Sequence, residues 1–196
     1  METAYETKQV FLALREQCQW LDVNYTTFCA LYESGEERRK LLSDTAPAFF
    51  YEHNLILQQH CILQVCKLTD SAETPTKGIV KKNLTFKQVN SMLESERLMT
   101  AEIKRLSENL EKYREVIVKS RHGIISHFDL DTYMAGVAVG AHEKTDLTDF
   151  LESMYRYTDV VGDVLGVGPL DYKGTSGPGD ALDLMKHLQK SLRYSP

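Results

Sequence analysis

The chain has 196 residues, 42% hydrophobic and 26% charged, which suits one globular domain with a sizeable core. Its net charge of −5 excludes a broad basic face for coating duplex nucleic acid, while leaving room for a small basic cleft. No apolar run is long enough for a membrane span and the N-terminus lacks a signal-peptide pattern, so a cytoplasmic protein with no membrane partner is expected. Cys18, Cys29, Cys61 and Cys66 form no C-x-x-C pair and fall mostly on apolar helical faces, as free thiols in a reducing compartment would.

Helical periodicity runs through almost the whole chain. Phe11, Leu14, Cys18, Leu21, Tyr25, Phe28 and Tyr32 alternate steps of three and four, one stripe on one helix that Ser34-Gly35 ends. A short turn is expected over 36–42. Ser43 or Asp44 then caps a second helix with Pro47 in its first turn. Its apolar positions form two rows at seven-residue spacing: Leu41, Ala48, Leu55, Ile62 and Leu42, Phe49, Ile56, Leu63. That width of apolar face predicts a central helix, running out near Thr69-Asp70. Residues 71–82 read as a polar loop with Pro75 and Gly78. Asn83 or Thr85 caps a short helix through Val89, Met92 and Leu93. A longer one from about Thr100 carries the stripe Ile103, Leu106, Leu110, Tyr113, Ile117, Ser120. From Leu147, capped by Thr145 or Asp146, another helix passes through Phe150, Leu151, Met154, Tyr157, Val161 and Leu165.

Between Gly162 and Gly179 lie six glycines and two prolines, the sharpest composition shift in the chain. The expected organisation is a bundle over 1–166, a Gly/Pro-rich linker over 167–179, and a short C-terminal helix and tail over 180–196. The fold class is all-α: an up-and-down bundle of four to five helices with a short C-terminal helical segment. No alternation persists long enough to predict a strand.

The chemistry concentrates in Ser120-Arg121-His122-Gly123-Ile124-Ile125-Ser126-His127-Phe128-Asp129, where the long stripe ends. Arginine is a permanent cation that grips phosphate oxygens bidentately, and histidine trades protons near neutral pH. Together they suffice to cleave a phosphodiester without a metal. On an unbroken helix Arg121 and His127 would point roughly 120° apart, so their convergence needs a break, which Gly123 supplies. Ser126 is small enough to let a ligand approach. Two other readings stay open. Arg121 and His122 could complement the negative end of the preceding helix, with His127 bonded to Asp129. Alternatively His122, His127, Asp129 and Asp131 could serve as metal ligands, but their spacing fits no zinc motif and Arg121 would repel the ion. No metal or cofactor is therefore expected. His53 and His60 read as core-edge packing, and Glu94, Glu96, Glu102, Glu108, Glu111 and Glu115 as solvated helix faces.

The pattern Arg121-x(5)-His127-x-Asp129, reached off a long helix, resembles the HEPN superfamily. Within it the segment resembles the abortive-infection (AbiU-like) branch, which often reads Arg-Asp/Asn-Lys-x-x-Ala-His-x-Asp here. Residues 31–39, Lys67-Leu68-Thr69-Asp70 and Gly179-Asp180-Ala181-Leu182 are similar to that branch as well. The resemblance implies a homodimer bringing two motifs to one cleft. It also implies metal-independent endoribonuclease activity on RNA, in phage defence or a toxin–antitoxin system with an antitoxin protein as candidate partner. By position, His127 handles protons and Arg121 stabilises the phosphorane, with His122, Ser126 and Asp129 in support. His122 replaces the branch's Asn or Asp. That keeps an alternative open: a catalytically silent HEPN module binding a nucleotide or a partner protein.

Overall fold

A computed structural model describes residues 2–120, 144–172 and 177–193 of the chain. Among them are seven α-helices and one β-ribbon, so the protein is an all-α helical bundle. The helices are α1 (Glu2–Phe28), α2 (Glu36–Thr45), α3 (Pro47–Leu68), α4 (Phe86–Ser95), α5 (Ala101–Ser120), α6 (Lys144–Val164) and α7 (Ala181–Arg193). A π-helical turn, Cys29–Glu33, extends α1, and the ribbon pairs β1 (Glu73–Thr76) with β2 (Ile79–Lys82). The chain divides into two compact units: Met1–Gln19 with Ile62–Leu170, and Trp20–Cys61 with Asp171–Pro196. Both α1 and α3 supply residues to each.

The first unit is built on clean amphipathic helices. Ile103, Leu106, Leu110, Tyr113 and Ile117 of α5 are all buried, as the periodicity predicts, and so are Phe150, Leu151, Met154, Tyr157 and Val161 of α6. The two helices run antiparallel, with Tyr113 and Phe150 rings 5.2 Å apart and Arg156 bonded to Glu102 at the far end. Burying each large apolar side chain contributes roughly 1.5–3 kcal/mol, so these two stripes supply a large share of the unit's stability, beside Phe11, Leu14, Phe86, Val89 and Leu93. One polar thread crosses it. Fully buried Tyr157 donates to Asn90 Oδ1 (2.8 Å), while Asn90 Nδ2 donates to Ser107 Oγ (2.8 Å), joining α6, α4 and α5. A half-buried Asn bonded on both sides helps fix the register of the three helices.

Local signals set most helix ends. Thr85 caps α4 by accepting from Gln88 N–H, and Thr100 accepts from Ile103 N–H at the start of α5. The α6 terminus turns through Gly166 (φ +65°) with Val167 N–H returning to Gly162 O, the six-to-one bond of a Schellman end. Gly162 has a steric reason as well, since a Cβ there would stand 2.5 Å from Gly168 O. That carbonyl accepts from Arg15 Nη1 at 3.0 Å.

The second unit has its own core of Leu31, Tyr32, Leu41, Leu42, Phe50, Leu57 and Met185. Helix α7 enters it through Ala181, Met185 and Leu188, spaced four and three apart on one face.

Five expectations change in detail. Residues 36–42 form helix α2 rather than a turn: Gly35 (φ +105°) starts it, Glu36 and Glu37 suit its first turn, and good helix formers follow. Ser43 and Asp44 lie inside α2, and the chain breaks at Ala46, with Pro47 opening α3. The rows read on α3 are the wrong ones. Phe49 and Ile56 are 60% and 62% exposed, whereas Phe50 and Leu57 are each 7% exposed. Rows drawn from Leu41 and Leu42 ran through the break at Ala46 and lost the phase. Residues 73–82, expected as loop, form the β-ribbon, because Lys77 (φ +50°) and Gly78 (φ +80°) make a two-residue type I′ turn between β-branched residues. Finally, α6 begins at Lys144, three residues before the expected start.

Candidate active site

The residues singled out for chemistry, Arg121, His122, Ser126, His127 and Asp129, all lie in 121–143, outside the described residues, as does Asp131. What the structure gives is their approach. Helix α5 ends at Ser120, the residue before Arg121, and α6 takes the chain back from Lys144. The motif segment therefore joins neighbouring ends of one antiparallel helix pair.

That pair is held hard. Ile117, one turn from the end of α5, is fully buried, and Tyr113 packs on Phe150. On another side of α5, Arg114 Nη2 pairs with Asp70 Oδ1 at 2.8 Å, both side chains largely shielded from water. Arg114 stands seven residues before Arg121. Asp70 follows the last turn of α3, where buried Thr69 bonds back to Val65 O. Periodicity alone gave no reason to choose Asp70 or Arg114. The only available signal was Lys67-Leu68-Thr69-Asp70, similar to the abortive-infection branch but without an assigned role.

An open groove of about 430 Å³ runs along the α5–α6 pair. One wall carries Arg105, Asn109 and Lys112 of α5, spaced four and three apart. The other carries Asp146, Asp149 and Glu152 of α6. With Arg156 also lining it, three cations face three carboxylates, so by itself the groove has no preference for an anion. In the second unit a hollow of about 600 Å³ is lined by Thr26, Cys29, Ser34, Arg38 and Asp180. Its charged groups already have internal work. Arg38 donates to Ala30 O at 2.8 Å, and Asp180 accepts from the N–H groups of Leu182 and Asp183.

Several titratable groups in the described residues make structural contacts. His53 Nδ1 lies 2.9 Å from Tyr32 Oη with its ring stacked on Phe49, and His60 meets the Trp20 ring edge-on. Both match the core-edge reading. Burial pushes the Tyr157 phenol and the Cys18 thiol far above their ordinary ranges, keeping both neutral. All four cysteines are free thiols. Glu102 and Glu111 form exposed ion pairs with Arg156 and Lys87, as solvated helix faces do.

An all-α bundle that leads one long helix directly into Arg-x(5)-His-x-Asp defines a HEPN-type module. The family model that matches, AbiU2 (HEPN_AbiU2), spans residues 5–184, and the chain belongs to that family of the HEPN superfamily, associated with abortive infection. No curated protein and no solved structure matches the chain. Among the described residues, no helix is long and apolar enough to cross a membrane.

Proposed function

We propose that the protein is a metal-independent endoribonuclease of HEPN type, acting in phage defence or a toxin–antitoxin system. The observation that carries this reading is Arg121-x(5)-His127-x-Asp129 directly after α5, in a chain that belongs to AbiU2 over nearly its whole length. His127 removes the proton of an RNA 2′-hydroxyl. The oxygen attacks the adjacent phosphorus, the P–O5′ bond breaks, and the leaving oxygen takes up the proton that the imidazolium returns. Arg121 offsets charge on the pentacoordinate phosphorus through its bidentate fork. Asp129, two residues on, orients the imidazole, and Ser126 leaves room for the substrate. A homodimer brings two such sets to one cleft, and an antitoxin protein would restrain them.

The test is cleavage of varied single-stranded RNAs by purified protein in excess chelator. Cleavage should persist there, because an imidazole and a guanidinium take the roles a metal would fill, and the products should end in 2′,3′-cyclic phosphate, because the 2′-oxygen is the nucleophile. A second reading, a silent module that binds a nucleotide or a partner, is favoured by one residue: His122 stands where the branch carries Asn or Asp. His122→Asn separates the two. Cleavage retained or raised in that variant supports the enzyme, and absence of cleavage in both forms leaves the binding module.

A further inference from the structure

The β-ribbon of the first unit is unlike the rest of this acidic chain. Lys77, Lys81 and Lys82 are all exposed, and the ribbon's only carboxylate is Glu73. Glu73 faces Lys82 at the base, whereas Lys81 lies opposite Thr74 and Lys77 occupies the turn. From turn to base the lysines spread over roughly 13 Å at strand rise. Charges so dispersed cannot converge on one small anion, but they suit an extended polyanion.

Protection of a sheet edge is the plainer use for such lysines. It does not account for Ile79 and Val80, which are 67% and 59% exposed on the same strand and add apolar surface to an unpaired edge.

The ribbon is also fixed in place. Asn83 Nδ2 donates to Ser71 O (2.9 Å) and Thr74 Oγ1 (2.7 Å), and its N–H donates to Ala72 O (2.8 Å). Ser71 N–H in turn donates to Asp70 Oδ1 (3.0 Å), the atom that pairs with Arg114 at 2.8 Å. A continuous run of hydrogen bonds therefore ties the base of a basic ribbon to the helix that leads into Arg121.

We propose that the ribbon Glu73–Lys82 is an arm that holds the phosphate backbone of single-stranded RNA beside the motif-bearing helix. The inference rests on the ribonuclease reading for its ligand and on the ribbon's own charge and anchorage for its place. Its test is fluorescence anisotropy of a labelled single-stranded oligoribonucleotide with the full chain. The variant is Lys77→Glu/Lys81→Glu/Lys82→Glu, with unchanged circular dichroism showing that it folds. Affinity should fall at least tenfold, and the slope of log K against log salt should flatten by about 2, the release expected for three contacts to a single strand. A charge-matched control, Arg39→Glu/Lys40→Glu/Lys190→Glu, should lose less than threefold. Equal losses in both variants would overturn the arm, as would an unchanged affinity and slope, or wild-type protein that binds no RNA. The two proposals fail separately. RNA bound through the ribbon but never cleaved removes the ribonuclease and keeps the arm. RNA cleaved with full affinity after the reversal does the opposite.

Discussion

Helices α3 and α5 are nearly equal in length and both rich in apolar residues, yet only α5 declares its buried face. Along α5, charged or polar residues fill every position outside the stripe from Ile103 to Ile117 until Val116, so only one orientation buries the apolar atoms without burying polar groups. Helix α3 has Phe49, Phe50, Leu55, Ile56 and Leu57 around most of its circumference, and several orientations bury similar area. The structure chooses Phe50, Leu57, Cys61 and Val65 and leaves Phe49 and Ile56 in solvent. Polar residues, more than apolar ones, fix which way a helix turns.

The largest expected effect lies at the exit of α5. His127→Ala should cost on the order of 10²–10⁴-fold in RNA cleavage rate, the usual span for a positioned acid–base group. Arg121→Lys should also fall well below wild type, because lysine keeps the charge and loses the fork. Single-turnover kinetics on the folded variants measures both, and undiminished cleavage by His127→Ala would remove the ribonuclease reading.

Adjacent residues on α3 sharpen the comparison next. Phe50→Ala should destabilise by roughly 3–5 kcal/mol through transfer and cavity terms, whereas Phe49→Ala should stay within about 1 kcal/mol. Urea unfolding of the two variants decides it. Equal losses would mean that both faces of α3 are covered in solution.

A smaller effect follows pH on the buried face of the same helix. Burial, chiefly, pushes the Cys61 thiol from its ordinary 9.0 up to about 11. Above pH 9 the unfolded chain releases this proton while the folded protein keeps it, so stability falls as pH rises from about 9 toward 11. Urea midpoints across that window should decline, and Cys61→Ala should flatten the decline. The smallest change concerns the end of α4, where Arg97 holds φ +60° and Leu98 N–H returns to Leu93 O. A left-handed residue costs an L side chain roughly 1 kcal/mol, so Arg97→Gly should gain up to that amount in the same assay.

Legibility followed the same physics. The α5 stripe, the α6 stripe, the Thr85 cap and the core-edge histidines could all be read because each follows from a local rule. The ribbon escaped because Lys-Gly is a weak turn signal and four-residue strands barely alternate. Helix α2 escaped because its charged surface hides only Leu41 and Leu42 from water. At the candidate site, Arg121 and His127 were legible as chemistry. The Asp70–Arg114 pair was not, because its partners are 44 residues apart and only the fold brings them together.

The core that seats Met185 against Leu31, Leu42 and Leu57 has a consequence in time. A ribosome makes Leu57 and then everything through Leu170 before it reaches Ala181. At ordinary elongation rates that interval is on the order of ten seconds. Until it closes, the nascent chain carries an unfinished apolar seat for α7, long enough for a chaperone to bind there or for a neighbouring nascent chain to dock its own α7 in the same place.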